Sequence, residues 1–437
     1  MGSKNLKGKL AYARYAQEYV LILDKIGAHD YYKVLMKKNI AIISKKNLKV
    51  IGWIMIPRYK VKEINNIWST KNKLDTWLKV ELAHLSSLVG NITEKTISEE
   101  EFLTIKENVK IDVDRWKEIE TETRHDLQAF VQMLEESIPD NSGRWLHYGL
   151  TSSDVLDTSL SLMCVESLKE INNYFNILLY NTTRLLKSKH ADSNILARTH
   201  GKSAEIQTYE NIFSRWIFQL RRAYDEITRV KSTISHGKLS GPSGNYTTNT
   251  KQNEFNALQS LGLKPIRSSQ IVSRDVYLDY FYAILKTILA VEKIAYDIRI
   301  YSIDGINEMA EPFRKGQKGS SSMPHKKNPI LTENICGLSR LYKSYFQTAI
   351  DNCLTLLERD ISHSSSERII FKDSAHIACY TLKKLNEVIE NLQCFPENAK
   401  DNCDKYTHKV NSQFEMNKMI KNGISRKESH DQAQNKK

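Results

Sequence analysis

The stretch Gly316-Gln317-Lys318-Gly319-Ser320-Ser321-Ser322-Met323-Pro324-His325-Lys326-Lys327-Asn328-Pro329 breaks sequence that otherwise carries helical periodicity. Two glycines, three serines and two prolines in fourteen residues do not belong to a helix interior. Gly316 and Gly319 open backbone angles closed to residues with a Cβ, so the peptide N–H groups around Ser320 can converge on an anion. Pro324 and Pro329 bracket Lys326 and Asn328, a cation and an amide that suit a carboxylate or phosphate oxygen. Two readings are open at this point: a mobile anion-binding loop, or a solvated Ser/Gly/Lys linker between helices.

On both sides of this loop, chain breakers are scarce. Seventeen glycines and eight prolines in 437 residues, many inside polar motifs, leave long unbroken stretches that predict an all-α fold. Leu160, Cys164, Leu168, Ile171, Phe175 and Leu178 form one apolar stripe, and Phe281, Ile284, Ile288, Val291, Ala295 and Ile298 another. A stricter one, Ile206, Tyr209, Phe213, Trp216, Leu220, Ala223, Ile227, Val230 and Ile234, alternates spacings of three and four. Such a heptad seam predicts a helix on the order of 43 Å long at ~1.5 Å per residue. From Ile67 to about Ile138 the pattern is also helical, with Trp77, Val80, Leu82 and Leu85 on one face. These stripes predict a central long-helix bundle whose seam could also serve subunit contact. The length and 41% hydrophobic content allow two or three domains.

The net charge of +13 is carried at the ends. Residues 1–55 hold eleven Lys/Arg against three Asp/Glu, residues 401–437 hold eight against five, and only +2 remains between. A body so nearly balanced has no basic stripe, which argues against a nucleic-acid partner. Six cysteines without a CxxC pair argue against a disulfide scaffold or a zinc site and point to a reducing cytoplasm. No apolar run of eighteen residues and no signal-peptide order are present, so no membrane association is expected. Residues 1–54 form a basic extension, with a short helix expected near 11–26 and a strand near 40–43, and no visible chemistry.

Further polar segments punctuate the helices. Glu120-Thr121-Glu122-Thr123-Arg124-His125-Asp126 is either a solvated face or a functional cluster. His147-Tyr148-Gly149-Leu150-Thr151-Ser152-Ser153-Asp154 supplies four N-cap residues before a helix starting near Val155, which is a good cap or an anion site at a helix N-terminus. Ala197-Arg198-Thr199-His200-Gly201 and Leu239-Ser240-Gly241-Pro242-Ser243-Gly244-Asn245-Tyr246 read as polar turns. Glu358-Arg359-Asp360-Ile361-Ser362-His363-Ser364-Ser365-Ser366-Glu367-Arg368 offers two arginines and a hydroxyl run, a phosphate clamp or a set of surface ion pairs. Near Cys394 a last small domain begins.

Several of these strings resemble known blocks. GSSSMPHKKNP (319–329) resembles the signature loop of the fumarase/aspartase superfamily, and Arg198-Thr199-His200-Gly201 resembles a second block of it, with departures at Lys202, Ile206 and Gln207. Met55-Ile56-Pro57-Arg58-Tyr59, Thr123-Arg124-His125-Asp126 and the 358–368 string resemble the adenylosuccinate lyases within that superfamily. The resemblance covers about Ile56 to Ser425. It implies a three-domain fumarase/aspartase-type fold, divided as 55–151, 152–394 and a truncated 395–437 that ends in a polar tail from Ser425, with 1–54 as an upstream extension. It further implies β-elimination of fumarate from adenylosuccinate, giving AMP, and from the succinylo-carboxamide ribotide of purine synthesis (SAICAR), giving its amine (AICAR).

By the same resemblance Ser320 is the base, His200 the acid for the leaving nitrogen, and Glu333 the carboxylate that orients His200. Lys326 and Asn328 hold the succinyl carboxylates, and His125 and His147 line the site. Arg58, Tyr59, Arg359, Ser364 and Arg368 bind the nucleotide's phosphate side, with Arg124, Asp126, Thr151, Ser152, Thr199 and Gln270 completing the substrate contacts. No metal or organic cofactor is implied, because the substrate carries its own electron sink. A homotetramer whose sites are shared between chains is implied as well. Another fumarate-releasing lyase, such as an argininosuccinate lyase, or a catalytically silent truncated paralogue, are the alternative readings.

Overall fold

The computed structural model describes residues 56–90 and 97–435, so the helix and strand expected within residues 1–54 lie outside the described residues. Arg58–Lys437 is one compact unit, and helices dominate it.

Among the described residues five α-helices come first: α1 (Lys62–Ile67), α2 (Thr70–Leu88), α3 (Glu99–Asn108), α4 (Val113–Thr123) and α5 (Asp126–Glu135). Each of the last four starts where a side chain accepts an otherwise unpaired N–H of the first turn: Ser69, Ser98, Asp112 and His125. Ser98 and Glu101 close a reciprocal capping box. The apolar faces of α2, α4 and α5 meet in a core of Leu74, Trp77, Val80, Leu85, Trp116, Ile119, Phe130 and Leu134. Trp77 and Phe130 contact edge to face at 5.4 Å. Of the expected face, Trp77, Val80 and Leu85 are buried and Leu82 is half-buried.

The central body is made of α6 (Ser152–Arg184), α7 (Tyr209–Ile234), α9 (Arg274–Tyr301), α10 (Ile330–Asp351) and α11 (Ser362–Glu390), with the short α8 (Lys251–Ser260) beside α2. Helix α6 packs on α7 and α11, α7 on α9, α9 on α10 and α11, and α10 on α11, which closes a ring of long helices. The 33 residues of α6 extend roughly 50 Å at ~1.5 Å per residue. The stripes predicted from spacing fill the interior: Cys164, Leu168, Ile171, Phe175 and Leu178 of α6 and all six predicted residues of α9 are buried. The aromatic ring of Phe371 on α11 packs against Tyr277, Tyr280 and Phe281 of α9 at 4.7–5.8 Å.

The heptad seam is shorter than its spacing suggests. Eight of its nine residues are buried on α7, but Ile206 is 42% exposed, because residues 194–208 pair as an antiparallel hairpin of β1 (Asn194–Thr199) and β2 (Lys202–Thr208). Helix α7 therefore begins at Tyr209, with Thr208 accepting the Asn211 N–H as its cap. Its 26 residues span roughly 39 Å.

Among the described residues three helices come last: α12 (Pro396–Val410), α13 (Ser412–Lys421) and α14 (Arg426–Asn435). The polar tail expected from Ser425 is instead mostly helical. Gly423, at φ +89°, stops α13, and the Ser425 hydroxyl accepts the Glu428 N–H (3.2 Å) to start α14.

Candidate active site

The loop at 316–329 is held at its base and exposed at its tip. Gly319 passes so close to the returning chain that a Cβ placed on it would sit 1.9 Å from the Lys326 carbonyl oxygen, so no side chain fits there. The Asn328 amide donates to the Gly319 carbonyl (2.9 Å) across this crossing. Between them the Ser320 hydroxyl accepts from the backbone N–H groups of Ser322 (3.3 Å) and Met323 (3.1 Å). Two N–H dipoles aimed at one oxygen favour negative charge on it.

Glu311 anchors the far end of the loop. Its buried carboxylate accepts the N–H groups of Leu331 and Thr332 (2.9 Å each) and the Thr332 hydroxyl (2.8 Å), and so caps α10 from twenty residues away. Lys326, Asn328 and Glu333 line a cavity of about 1020 Å³ together with Arg299 and Glu311. Glu333 is exposed in the first turn of α10.

His200 stands at the tip of the β1–β2 hairpin. His200 and Gly201 have φ of +51° and +72°, the pair of positive angles that a two-residue type I′ hairpin turn needs. The strand leading into this turn is fixed by Arg198, whose guanidinium forks onto the two oxygens of buried Glu308 at 2.8 Å each. Asn402 of α12 donates to the same carboxylate (2.9 Å), and the Glu308 carbonyl accepts from the Tyr209 hydroxyl and the Phe395 N–H. Burial would lower the Arg198 pKa, but the Glu308 carboxylate outweighs it and the pKa is raised. Thr199 and His200 are exposed.

His147 occupies a left-handed position (φ +60°) held by Glu81 of α2. The fully buried Glu81 carboxylate accepts the His147 backbone N–H (3.0 Å) and lies 2.8 Å from Nδ1. One turn along α2, His84 binds the Tyr148 carbonyl through Nε2 (2.9 Å), and burial pushes its pKa down, with the Tyr148 and Glu81 contacts opposing. Helix α6 begins at Ser152, three residues earlier than Val155. Asp154 accepts the Thr151 N–H (2.8 Å), so part of the anion site read from this cap is occupied internally. The same carboxylate meets Lys238 and the Gly241 N–H in the interior, tying the 151–154 segment to the Gly241 turn.

Two long-range pairs join the remaining motif residues. Asp126 accepts from Arg368 (3.1 Å), which brings the 123–126 segment beside the 358–368 string. Gln270 accepts from Arg359 (3.4 Å), and the Ser269 hydroxyl donates to the Glu358 carbonyl (2.7 Å). Ser364 lies in the first turn of α11, one helical turn before Arg368. Arg124 is an exposed left-handed C-cap of α4, and the His125 ring accepts the Gln128 N–H through Nδ1 (3.2 Å). Tyr59 accepts from the Asn334 side chain (3.2 Å), and Arg58 lines a second cavity, of about 720 Å³, with Lys60, Lys62, Lys383 and Lys384. Among the described residues, no hydrogen bond or ion pair joins the His147, His200 and Ser320 segments to one another.

Sequence reasoning missed Glu81, Lys238, Glu308 and Glu311, each a buried charge that holds a motif residue or a motif's backbone. It also missed Lys73 of α2, which sits over the rings of Trp77 and Trp116 (4.6 and 4.8 Å) in the field of Asp126 and Arg368.

A family model described as Lyase matches residues 58–341. The chain is 37% identical to adenylosuccinate lyases of Synechocystis sp., over 86% of both chains, and of Thermotoga maritima, over 87% of both. It is also 37% identical to that of Bacillus subtilis, over 87% of this chain and 88% of the other. Among solved structures it superposes on a fumarate lyase from Mesorhizobium sp. with a TM-score of 0.76 at 19% identity, covering 86% of this chain and 85% of that one. A β-carboxy-cis,cis-muconate cycloisomerase from Acinetobacter calcoaceticus gives 0.72 at 16% identity over the same shares, and these two likenesses bear on the fold.

Proposed function

The chain belongs to the adenylosuccinate lyases, and we propose that it cleaves adenylosuccinate to fumarate and AMP, and SAICAR to fumarate and AICAR, by β-elimination. The Ser320 alkoxide removes a proton from the succinyl methylene, and the electron pair moves into the adjoining carboxylate. Lys326 and Asn328 hold the succinyl carboxylates while this charge develops. The carbon–nitrogen bond then breaks as His200 protonates the leaving nitrogen, with Glu333 orienting its ring. His125 and His147 line the site. Arg58, Tyr59, Arg359, Ser364 and Arg368 take the phosphate side, with Arg124, Asp126, Thr151, Ser152, Thr199 and Gln270 around the nucleotide.

The observation that carries this reading is the pair of backbone N–H groups, of Ser322 and Met323, that meet on the Ser320 oxygen. An alcohol is a poor base near neutral pH, and such donors lower the cost of its alkoxide. The Asp126–Arg368 and Gln270–Arg359 contacts support the phosphate side, because the 123–126 and 268–270 segments both meet the 358–368 string through them.

The reading extends to a cytoplasmic homotetramer in which separate chains supply the His125/His147, His200 and Ser320 segments to each site. Supporting it, Tyr282, Leu289 and Tyr296 recur every seven residues on the exposed face of α9, and Phe218 of α7 and Leu341 of α10 are exposed too. Among the described residues no helix is long and apolar enough to cross a membrane. Segments 55–151, 152–394 and 395–437 are taken as the three domains. The test is to incubate the purified protein with adenylosuccinate, expecting equimolar fumarate and AMP. Fumarate from argininosuccinate instead would overturn the substrate, and no product from either would favour a silent paralogue.

A further inference from the structure

We propose that Glu81 is a positioning residue that keeps the hydrogen of His147 on Nδ1 and leaves Nε2 bare as the nitrogen offered to substrate. Placing His147 in the active site rests on the functional reading above; the state of its ring does not. Glu81 is fully buried on α2, and both of its oxygens are spent on one residue: Oε2 takes the His147 N–H at 3.0 Å and Oε1 faces Nδ1 at 2.8 Å. An ionised carboxylate only accepts, so this geometry requires a hydrogen on Nδ1. Nε2 has no hydrogen-bond partner among the described residues, and the side chain is 22% exposed, so that nitrogen is open to a ligand.

The surroundings leave Glu81 as the charge that bears on the ring. His84 packs beside it on α2 and is kept neutral by burial, while Asp154 of α6 is paired with Lys238 in the interior. His84 also holds the Tyr148 carbonyl (2.9 Å), so α2 grips the backbone at 147 and 148 and the ring at Nδ1. Two contacts on His147 and one on the next carbonyl fix a left-handed conformation that His147 would not adopt unaided. The burial of Glu81 on α2 is thereby explained: it orients a histidine of the proposed site, as carboxylates do for histidines elsewhere.

The test combines spectroscopy with kinetics. In ¹⁵N spectra of histidine-labelled wild-type protein, assigned through His147→Asn, Nδ1 of His147 should be the protonated nitrogen at pH above its titration. In Glu81→Gln the amide can donate to Nδ1, and the hydrogen should move to Nε2. Turnover of adenylosuccinate should fall at least about tenfold with KM changed little, the alkaline and acid limbs of the pH profile should shift, and Glu81→Asp should recover part of the loss. A wild-type ring protonated on Nε2 would overturn the proposal, even if Glu81→Gln failed to fold. So would a folded Glu81→Gln with unchanged tautomer and pH profile. If the wild type turns over no adenylosuccinate the functional reading fails, while the spectra still decide the tautomer.

Discussion

Lys238→Met removes the cation that faces Asp154 in the protein interior. Both side chains are fully buried, Lys238 Nζ also reaches the Gly241 carbonyl (3.3 Å), and Asp154 additionally accepts the N–H groups of Thr151 (2.8 Å) and Gly241 (3.2 Å). Stranding one member of a buried pair costs about 3–5 kcal/mol. The stranded carboxyl can escape by taking up a proton, which caps the loss. Measured against an aspartate of the unfolded chain, near 3.9, loading a proton costs about 4 kcal/mol at pH 7 and about 1.5 kcal/mol at pH 5. Denaturant unfolding should therefore show Lys238→Met destabilised by about 3–4 kcal/mol at pH 7 and by about 1–2 kcal/mol at pH 5. Adding Asp154→Asn should recover most of the loss at pH 7, because the buried charge is gone while an acceptor for the Thr151 N–H remains. A loss below about 1 kcal/mol at pH 7, or an equal loss at both pH values, would refute the reasoning.

Other outcomes follow from single sites. Burial, with Lys372 and Lys60 nearby, pushes His376 down to about 4 from 6.5, and its Nδ1 accepts the Val61 N–H (3.0 Å). The folded state thus excludes a proton that the unfolded chain takes up, so stability is fully present above pH 6.5 and is lost by up to about 3 kcal/mol as pH falls toward 4. His376→Asn should flatten that slope in unfolding midpoints taken across this range. Gly319→Ala should lower kcat more than about tenfold with little change in melting temperature, since the clash with Lys326 reshapes an exposed loop and spares the core. Tyr282→Asp with Tyr296→Asp should reduce the mass seen by light scattering toward the 50.5 kDa of one chain. An unchanged mass would remove the α9 stripe from the proposed interface.

What was legible in the sequence was periodic or punctuated. Stripes of α6, α7 and α9 gave away the bundle because a residue every three or four positions has one explanation, a buried helix face. The hairpin at 194–208 was hidden by the same rule: Ile206 lies three residues before Tyr209 and extends the α7 seam by coincidence, although His200-Gly201 carried a turn signal. The tail Arg426–Asn435 is helical without an apolar stripe, so periodicity was silent there. Motif residues could be picked out by type, but their supports could not. Glu81 and Glu308 read as ordinary charges on helical or polar sequence, and their burial is decided by partners 66 and 110 residues away. A buried charge is visible only once the partner that compensates it is in place.

The central claim is that Ser320 and His200 act in one composite site supplied by different chains. Inactive Ser320→Ala and inactive His200→Ala proteins, mixed under conditions of subunit exchange and assayed for fumarate release from adenylosuccinate, test it most directly. Hybrids should regain a measurable fraction of wild-type activity, because some of their sites carry neither substitution. Hybrids verified by mass that stay inactive, or a Ser320→Ala protein that alone retains more than about a tenth of wild-type turnover, would contradict it.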